Sequence, residues 1–237
     1  MNNKSYVDFF RQTSPYIHAH RGKTFVIAIS GEAVLAPNFH SMVHDIALLQ
    51  SLGMRIVLVH GARPQINQRL QLSNIGVKVK NHTRVTDPNA MQCVKEAVGS
   101  TRLTIESELS MGLPNSPMHG AHISVVGGNF ITAKPIGIQD GIDFQRAGQV
   151  RRIDNKAIDA QLSNGSMVLI SPIGFSPTGE AFNLSYLDVA SHVAMALSAE
   201  KLILISQPGA INDKERLLRR LSLPQPAELQ ETLKDPE

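Results

Sequence analysis

Apolar residues in this chain gather in short continuous runs, separated by stretches in which they recur every three or four positions. Phe25-Val26-Ile27-Ala28-Ile29 and Arg55-Ile56-Val57-Leu58-Val59-His60 are two such runs. Each ends in a turn of small residues, Ser30-Gly31-Glu32 after the first and Gly61-Ala62-Arg63-Pro64 after the second. Continuous β-rich runs bounded by glycine predict strands buried on both faces. Between them, Met42, Val43, Ile46, Leu49 and Leu52 keep helical spacing over Phe39 to Leu52. Strand, helix, strand predicts a right-handed βαβ unit and hence a parallel sheet. Ligands of such sheets bind beyond the carboxyl ends of the strands, where both glycine turns fall.

The alternation continues along the chain. Pro64 opens a helix that Ile66, Leu70 and Leu72 carry on. Val77-Lys78-Val79 and Thr83-Arg84-Val85 predict short strands. Thr86-Asp87-Pro88 is a cap with proline at the first helical position, ahead of a helix from Asn89 to Leu109. Met111 to Asn115 reads as a loop. Buried strands are predicted at Ile123 to Val126, Met167 to Ile170 and Lys201 to Ile205, with Phe130 to Ala133 following the turn at Gly127-Gly128-Asn129. Gly137 to Arg152, polar and glycine-bearing, predicts exposed hairpins, and Ser171-Pro172-Ile173-Gly174 a closing turn. Asn155 to Leu162 and Leu187 to Leu197 predict helices. Ahead of the first strand, Tyr6, Val7, Phe9, Phe10 and Ile17 predict a short amphipathic helix with little core of its own, so it packs either on its own domain or on another subunit. Asn212 to Glu237 is charged and proline-containing, with a helix expected around Lys214 to Leu221 and then a loose tail. The expected organisation is an arm over 1–20, an α/β domain with a mainly parallel sheet over 21–211, and a charged tail over 212–237.

With 237 residues there is enough chain for one large α/β domain. Apolar residues at 42%, charged residues at 18% and the absence of Trp fit a globular protein. A formal net charge of +3 with no basic run argues against a nucleic-acid partner. No apolar run approaches the roughly 20 residues needed to span a membrane, and the first residues lack the apolar core of a signal peptide. A single cysteine, Cys93, excludes an internal disulfide and fits the cytoplasm. It lies in a helical pattern and reads as a small buried apolar residue. His60 and His122 have no second ligand at metal spacing, so no metal is expected and both read as polar core or turn residues.

Glycine-rich turns at strand ends can cradle phosphate through backbone N–H groups and a helix N-terminus. Neither turn matches a P-loop or a dinucleotide fingerprint, so local spacing leaves ordinary tight turns open as well. The order of several motifs is more telling. His20-Arg21-Gly22-Lys23-Thr24-Phe25, Gly61-Ala62-Arg63-Pro64-Gln65-Ile66, Arg84-Val85-Thr86-Asp87, Gly120-Ala121-His122-Ile123, Gly128-Asn129-Phe130-Ile131, Arg151-Arg152-Ile153-Asp154 and Gly179-Glu180-Ala181-Phe182-Asn183-Leu184 occur in that sequence. In this order they resemble the amino-acid kinase fold family, and within it the kinase-like domain of bacterial N-acetylglutamate synthases. The resemblance runs from about Phe10 to Ala210 and implies a three-layer α/β sandwich, incomplete here at its C-terminal end.

Departures from the phosphotransferring members narrow what the resemblance implies. Those kinases carry a Lys in a K-x-G-G first turn, where this chain has Ala28-Ile29-Ser30-Gly31. Their second turn is H-G-G-G, here His60-Gly61-Ala62-Arg63. Their N-x-N-A-D stretch becomes Asn183-Leu184-Ser185-Tyr186-Leu187, with Asp188 one residue off and about 100° away on a helix. Phosphoryl transfer rests on positioned positive charge and metal organisation, so Ser30, Gly31, Gly61, Ala62 and Arg63 are expected to form degenerate ligand turns without catalytic residues. Arg84 and Asn183 match residues that hold the carboxylate side of acetylglutamate in the kinases. From the residues alone, Arg84 also reads as a strand-end surface residue and Asn183 as a turn or cap.

The resemblance implies an arginine-sensing, oligomerising domain that assembles as a homo-oligomer through residues 1–20. Lys201 matches a position near the arginine pocket, though it also suits strand capping. A separate acetyltransferase domain of the GNAT fold would bind acetyl-CoA and glutamate. No cofactor is expected in this chain, which ends at Glu237, ahead of that domain and of the segment supplying acidic partners to arginine. L-arginine binding is therefore expected to be weak, and acetyltransferase activity absent. Two alternatives stand beside this reading: an acetylglutamate- or carbamate-type kinase, and a silent partner of a full-length synthase.

Overall fold

The computed structural model describes residues 3–80, 83–111 and 123–206. It opens with α1 (Asn3–His20), which carries Pro15 within it and ends in His18 and His20. The first run forms β1 (Thr24–Ile29). The Ser30 hydroxyl then accepts a hydrogen bond from the Ala33 amide and starts α2 (Gly31–Val34), a turn of helix where only a tight turn was expected. The helix α3 (Phe39–Ser51), the strand β2 (Arg55–His60) and the helix α4 (Arg63–Leu72), with Pro64 in its first turn, follow as the periodicity predicts.

Two-residue strands β3 (Val79–Lys80) and β4 (Thr83–Arg84) pair antiparallel, so the first starts two residues later than predicted. Asp87 caps α5 (Pro88–Ser110) by accepting from Ala90 N. Then come β5 (Val125–Val126), β6 (Ile131–Pro135), β7 (Ile138–Gln139), β8 (Ile142–Asp143) and β9 (Gly148–Ile153). The helix α6 (Asn155–Ser163) leads to β10 (Met167–Ile170), β11 (Ile173–Phe175) and β12 (Ala181–Asn183). The last described elements are α7 (Tyr186–Ala196) and β13 (Lys201–Ile205).

A five-stranded sheet, ordered β13-β1-β2-β10-β5 and parallel throughout, forms the middle layer. One of its faces packs on α3 and the C-terminal half of α5. That cluster takes Phe25, Ile27 and Ile29 from β1, Ile56 and Leu58 from β2, and Met167 and Leu169 from β10. The other face, with Val26, Ala28, Val57, Val59, Val168 and Ile170, packs on α6, α7 and a second sheet of order β12-β11-β6-β9. Helices on one side and a mixed layer on the other complete an α/β sandwich. A third apolar cluster joins α4 to the first half of α5, and Cys93 is buried there.

Three expectations need correction. Only β7 and β8 form an exposed hairpin within Gly137 to Arg152. Phe144, Ala147, Gly148 and Val150 are buried, because β9 pairs with β6 and turns its alternate side chains into the core. The stretch Ser171 to Gly174 is not a simple turn, since Ile173 to Phe175 pair with both β12 and β6. The strand β13 is not buried on both faces. Among the described residues it stands at a sheet edge, where Ile203 and Ile205 pack inward while Leu202 and Leu204 are exposed. Most of the expected loop after Met111, His122, and the helix and tail expected beyond Asn212 lie outside the described residues.

Candidate functional site

The carboxyl ends of β1 and β2 stand side by side, with Ile29 opposite His60 in the register. The two glycine turns therefore meet. Gly61 N donates to Ile29 O at 2.7 Å, and the Gln65 side-chain amide donates to Gly31 O at 2.9 Å. A Cβ on Gly31 would come within 2.7 Å of Pro64 Cδ, and one on Gly61 within 3.0 Å of Gly31 N and 3.1 Å of Tyr186 Cδ1. Glycine is thus required at both positions for close packing. The Tyr186 ring closes the space over Gly61, so the turns enclose protein rather than leaving an open cradle. Burial, and then the Glu32 carboxylate, push the Tyr186 phenol pKa up, which keeps it neutral. Ala28, where the kinases' turn has Lys, is fully buried in the sheet core.

Next to the closed turns lies a cavity of about 690 Å³. It is bounded by Gly61 to Arg63, by Lys134 and Ile136 of β6 and its following loop, by Gly148 to Val150 of β9, and by the start of α7. Arg84 at the end of β4 and Asn183 at the end of β12 line it together. They are distant in sequence and are joined through Thr86. The Asn183 amide donates to Thr86 Oγ1 at 3.1 Å, and Thr86 Oγ1 donates to Arg84 O at 3.3 Å.

Arg84 is 9% exposed, not a surface residue. It donates through Nη2 to Asn67 Oδ1 at 2.5 Å. Its Nη1 is buried without a hydrogen-bond partner among the described residues. Burial first, and then the nearby Arg63, lower its pKa from the ordinary guanidinium value. Arg84 thus lines the cavity with a buried guanidinium that keeps one donor unpaired among the described residues, and such a group donates readily to a carboxylate. Lys134 adds a second cation, with no ion partner among the described residues. Among the described residues the one carboxylate on the wall is Asp188, which despite its helical offset lines the cavity from the first turn of α7. It accepts from Val150 N at 3.3 Å and pairs with His192 Nδ1 at 3.1 Å.

Other residues singled out in the sequence fall elsewhere. Ser30 is committed to capping α2, while Ala62 and Arg63 form the lip of the cavity. Lys201 opens the edge strand β13 opposite Phe25, at the amino ends of the strands and away from the cavity lining. His60 is fully buried; its Nδ1 lies 3.1 Å from Gly61 O and its Nε2 2.9 Å from Ser171 Oγ. Desolvation lowers its pKa to about 4, so it is neutral at physiological pH and serves as a polar core residue. Among the described residues no group of three or more His, Cys, Asp or Glu could hold a metal ion, and no helix is long and apolar enough to cross a membrane. Lys134, Tyr186 and Asn67 were missed by sequence reasoning. Nothing in their own neighbourhoods marks them; they join the site only through the pairing of distant strands.

The sequence pattern of the amino acid kinase family matches residues 23–235. An amino-acid acetyltransferase of Azotobacter vinelandii is 51% identical over 92% of this chain and 51% of its own length. One from Ralstonia nicotianae is 52% identical over 93% of this chain and 49% of its own length. The chain thus spans about half the length of the curated relatives it matches. The crystal structure of N-acetylglutamate synthase from Neisseria gonorrhoeae complexed with coenzyme A and L-arginine superimposes with a TM-score of 0.86 at 33% identity, over 95% of this chain and 53% of that one.

Proposed function

This chain belongs to the amino acid kinase family, and on that premise we propose that it is the kinase-like regulatory and oligomerising domain of an N-acetylglutamate synthase. The enzyme so served joins acetyl-CoA to L-glutamate at the start of arginine biosynthesis, in the cytoplasm. The supporting observation is the shape of the site: the glycine turns are packed shut by Tyr186, while the guanidinium of Arg84 still faces a cavity. Such a domain cannot cradle a transferring phosphoryl group, yet it can hold an acid. Its ligand is an N-acylated glutamate, with one carboxylate on Arg84 and Lys134. The same relative from Neisseria gonorrhoeae has been crystallised with coenzyme A and N-acetyl-glutamate.

The domain's role is arginine sensing, but arginine does not suit this cavity. Its guanidinium would face Arg63, Arg84 and Lys134, with Asp188 as the only acidic counterpart among the described residues. The chain alone therefore binds L-arginine weakly. Self-association runs through α1, where Phe9 and Phe10 are 68% and 65% exposed. Isothermal titration with N-acetyl-L-glutamate tests the reading, alongside an ADP-release assay with ATP and the same acid. Saturable binding without ADP release is expected. ADP release would instead support an acetylglutamate-type kinase, and no binding of either compound a silent partner of a full-length synthase.

A further inference from the structure

The pair Arg151-Arg152 has no part in the cavity just described. Both residues lie on β9, where strict alternation would send one inward and one outward. The pairing of β9 with β6 prevents that. Thr132 faces Arg152 and the next residue, Ala133, faces Val150, so Arg151 is an extra residue opposite a single step of β6. This β-bulge keeps Val150 and Ile153 in the core while leaving both arginines exposed.

Across the same face, the register sets Arg152 beside Thr132 and Thr132 beside Phe175. The row spans two strand spacings, about 10 Å. Phe175 is 42% exposed, unusual for a phenylalanine in a sheet. With Asn129, Ser176 and Pro177 these residues line a hollow of about 500 Å³. Neither arginine has an ion pair or side-chain hydrogen bond among the described residues. The neighbouring carboxylates are engaged elsewhere: Asp154 accepts from Ala157 N at the start of α6, and Glu180 pairs with Arg146. Two adjacent guanidinium groups without counter-ions repel one another, and an anion placed between them removes that cost.

We propose that this hollow is a second binding site, for a small molecule that ends in a phosphate or carboxylate and carries an aromatic or apolar body. The anion lies on Arg151 and Arg152, and the body lies against Phe175. The bulge is what brings the two guanidinium groups to one side. This site stands apart from the Arg84 cavity and does not depend on the function proposed for it.

The test is isothermal titration of the full chain with phenyl phosphate, and with inorganic phosphate as the body-less control, at low salt. Wild-type protein should bind phenyl phosphate saturably, and more tightly than inorganic phosphate. The double variant Arg151→Gln/Arg152→Gln should bind both at least about tenfold more weakly. Phe175→Ala should lose the preference for the phenyl group alone. Arg84→Met should bind phenyl phosphate as the wild type does. Arg151, Arg152 and Phe175 are exposed, so an unchanged circular-dichroism melt verifies folding of their variants, and a cooperative melt at or above the wild-type temperature verifies that of Arg84→Met. No saturable binding by wild type, undiminished binding by the double variant, or loss of binding in Arg84→Met overturns the proposal.

Discussion

Replacing Arg84 by Met should separate binding from stability in opposite directions. The side chain is nine-tenths buried, makes one hydrogen bond through Nη2, leaves Nη1 open, and sits near a second cation at Arg63. Holding a charge there without a counter-ion is unfavourable. Apolar replacement of a buried ionic group ranges from neutral to a gain of about 1–4 kcal/mol. The lost bond frees Asn67, which is exposed and can turn to water, so that loss costs at most about 1 kcal/mol. The net expectation is a gain of about 1 kcal/mol, or roughly 2–4 °C in melting temperature for a domain of this size. Binding should move the other way. Losing a charge-assisted fork to a carboxylate costs about 2–3 kcal/mol, roughly 30- to 150-fold in affinity. Thermal denaturation without ligand and titration with N-acetyl-L-glutamate measure the two effects. Arg84→Lys serves as a control, keeping the charge without the fork, and should lose affinity with no gain in stability. If Arg84→Met melts below the wild type, or binds the acid equally well, then Arg84 is a structural residue and the account of the cavity is wrong.

Three more outcomes follow from the same geometry. His60 has its folded pKa lowered to about 4, so it adds stability above the unfolded value near 6.5 and loses it as pH falls toward 4; denaturant titration should show about 2 kcal/mol more loss between about pH 7 and 5 in the wild type than in His60→Asn, and equal slopes would count against a buried neutral imidazole. Asn183→Ala removes the link through Thr86 that steadies Arg84, so it should weaken acid binding by roughly tenfold and stability by about 1 kcal/mol; unaltered affinity would show that the link is irrelevant to the site. Phe9→Ser with Phe10→Ser should lower the mass measured by light scattering, since these two are adjacent large exposed apolar residues of α1; an unchanged mass excludes this pair from self-association.

Much of the layer order was legible because the central strands carry their signal locally. Phe25 to Ile29 and Ile56 to Val59 are short unbroken apolar runs, rich in β-branched residues and followed by glycine, a combination that favours a buried strand over a helix. The second sheet was harder to read. Its β9 begins by alternating small and polar residues, Gly148, Gln149, Val150, Arg151, and that polar content reads as exposure until β6 and α7 are known to cover it. The strand β11 is three residues long and follows a proline, too short for periodicity to register. At the site, the resemblance to kinases located the turns, Arg84 and Asn183. The packing of Tyr186 over Gly61 and the donors of Lys134 and Arg84 converging on one space are products of tertiary pairing. Local sequence carries no trace of them, since residues about a hundred positions apart meet there.

A strand buried on both faces raises a problem that polarity cannot solve. In a sheet with one wet face, a shift of one residue exposes apolar side chains and is rejected at once. The central strands here have no polar side to betray such a slip. What differs between their faces is size. The face toward α6 and α7 carries Val26, Ala28, Val57 and Val59, whereas the face toward α3 carries Phe25, Ile27, Ile56 and Leu58. Sliding β1 by one position would drive phenylalanine and isoleucine into room made for alanine and valine, and would leave voids opposite. Crowding and voids each cost about 1–3 kcal/mol or more per site. Bulk thus performs the bookkeeping of register in this sheet, and the small residues Ala28 and Val59 matter less for what they contribute than for what they leave no room to admit.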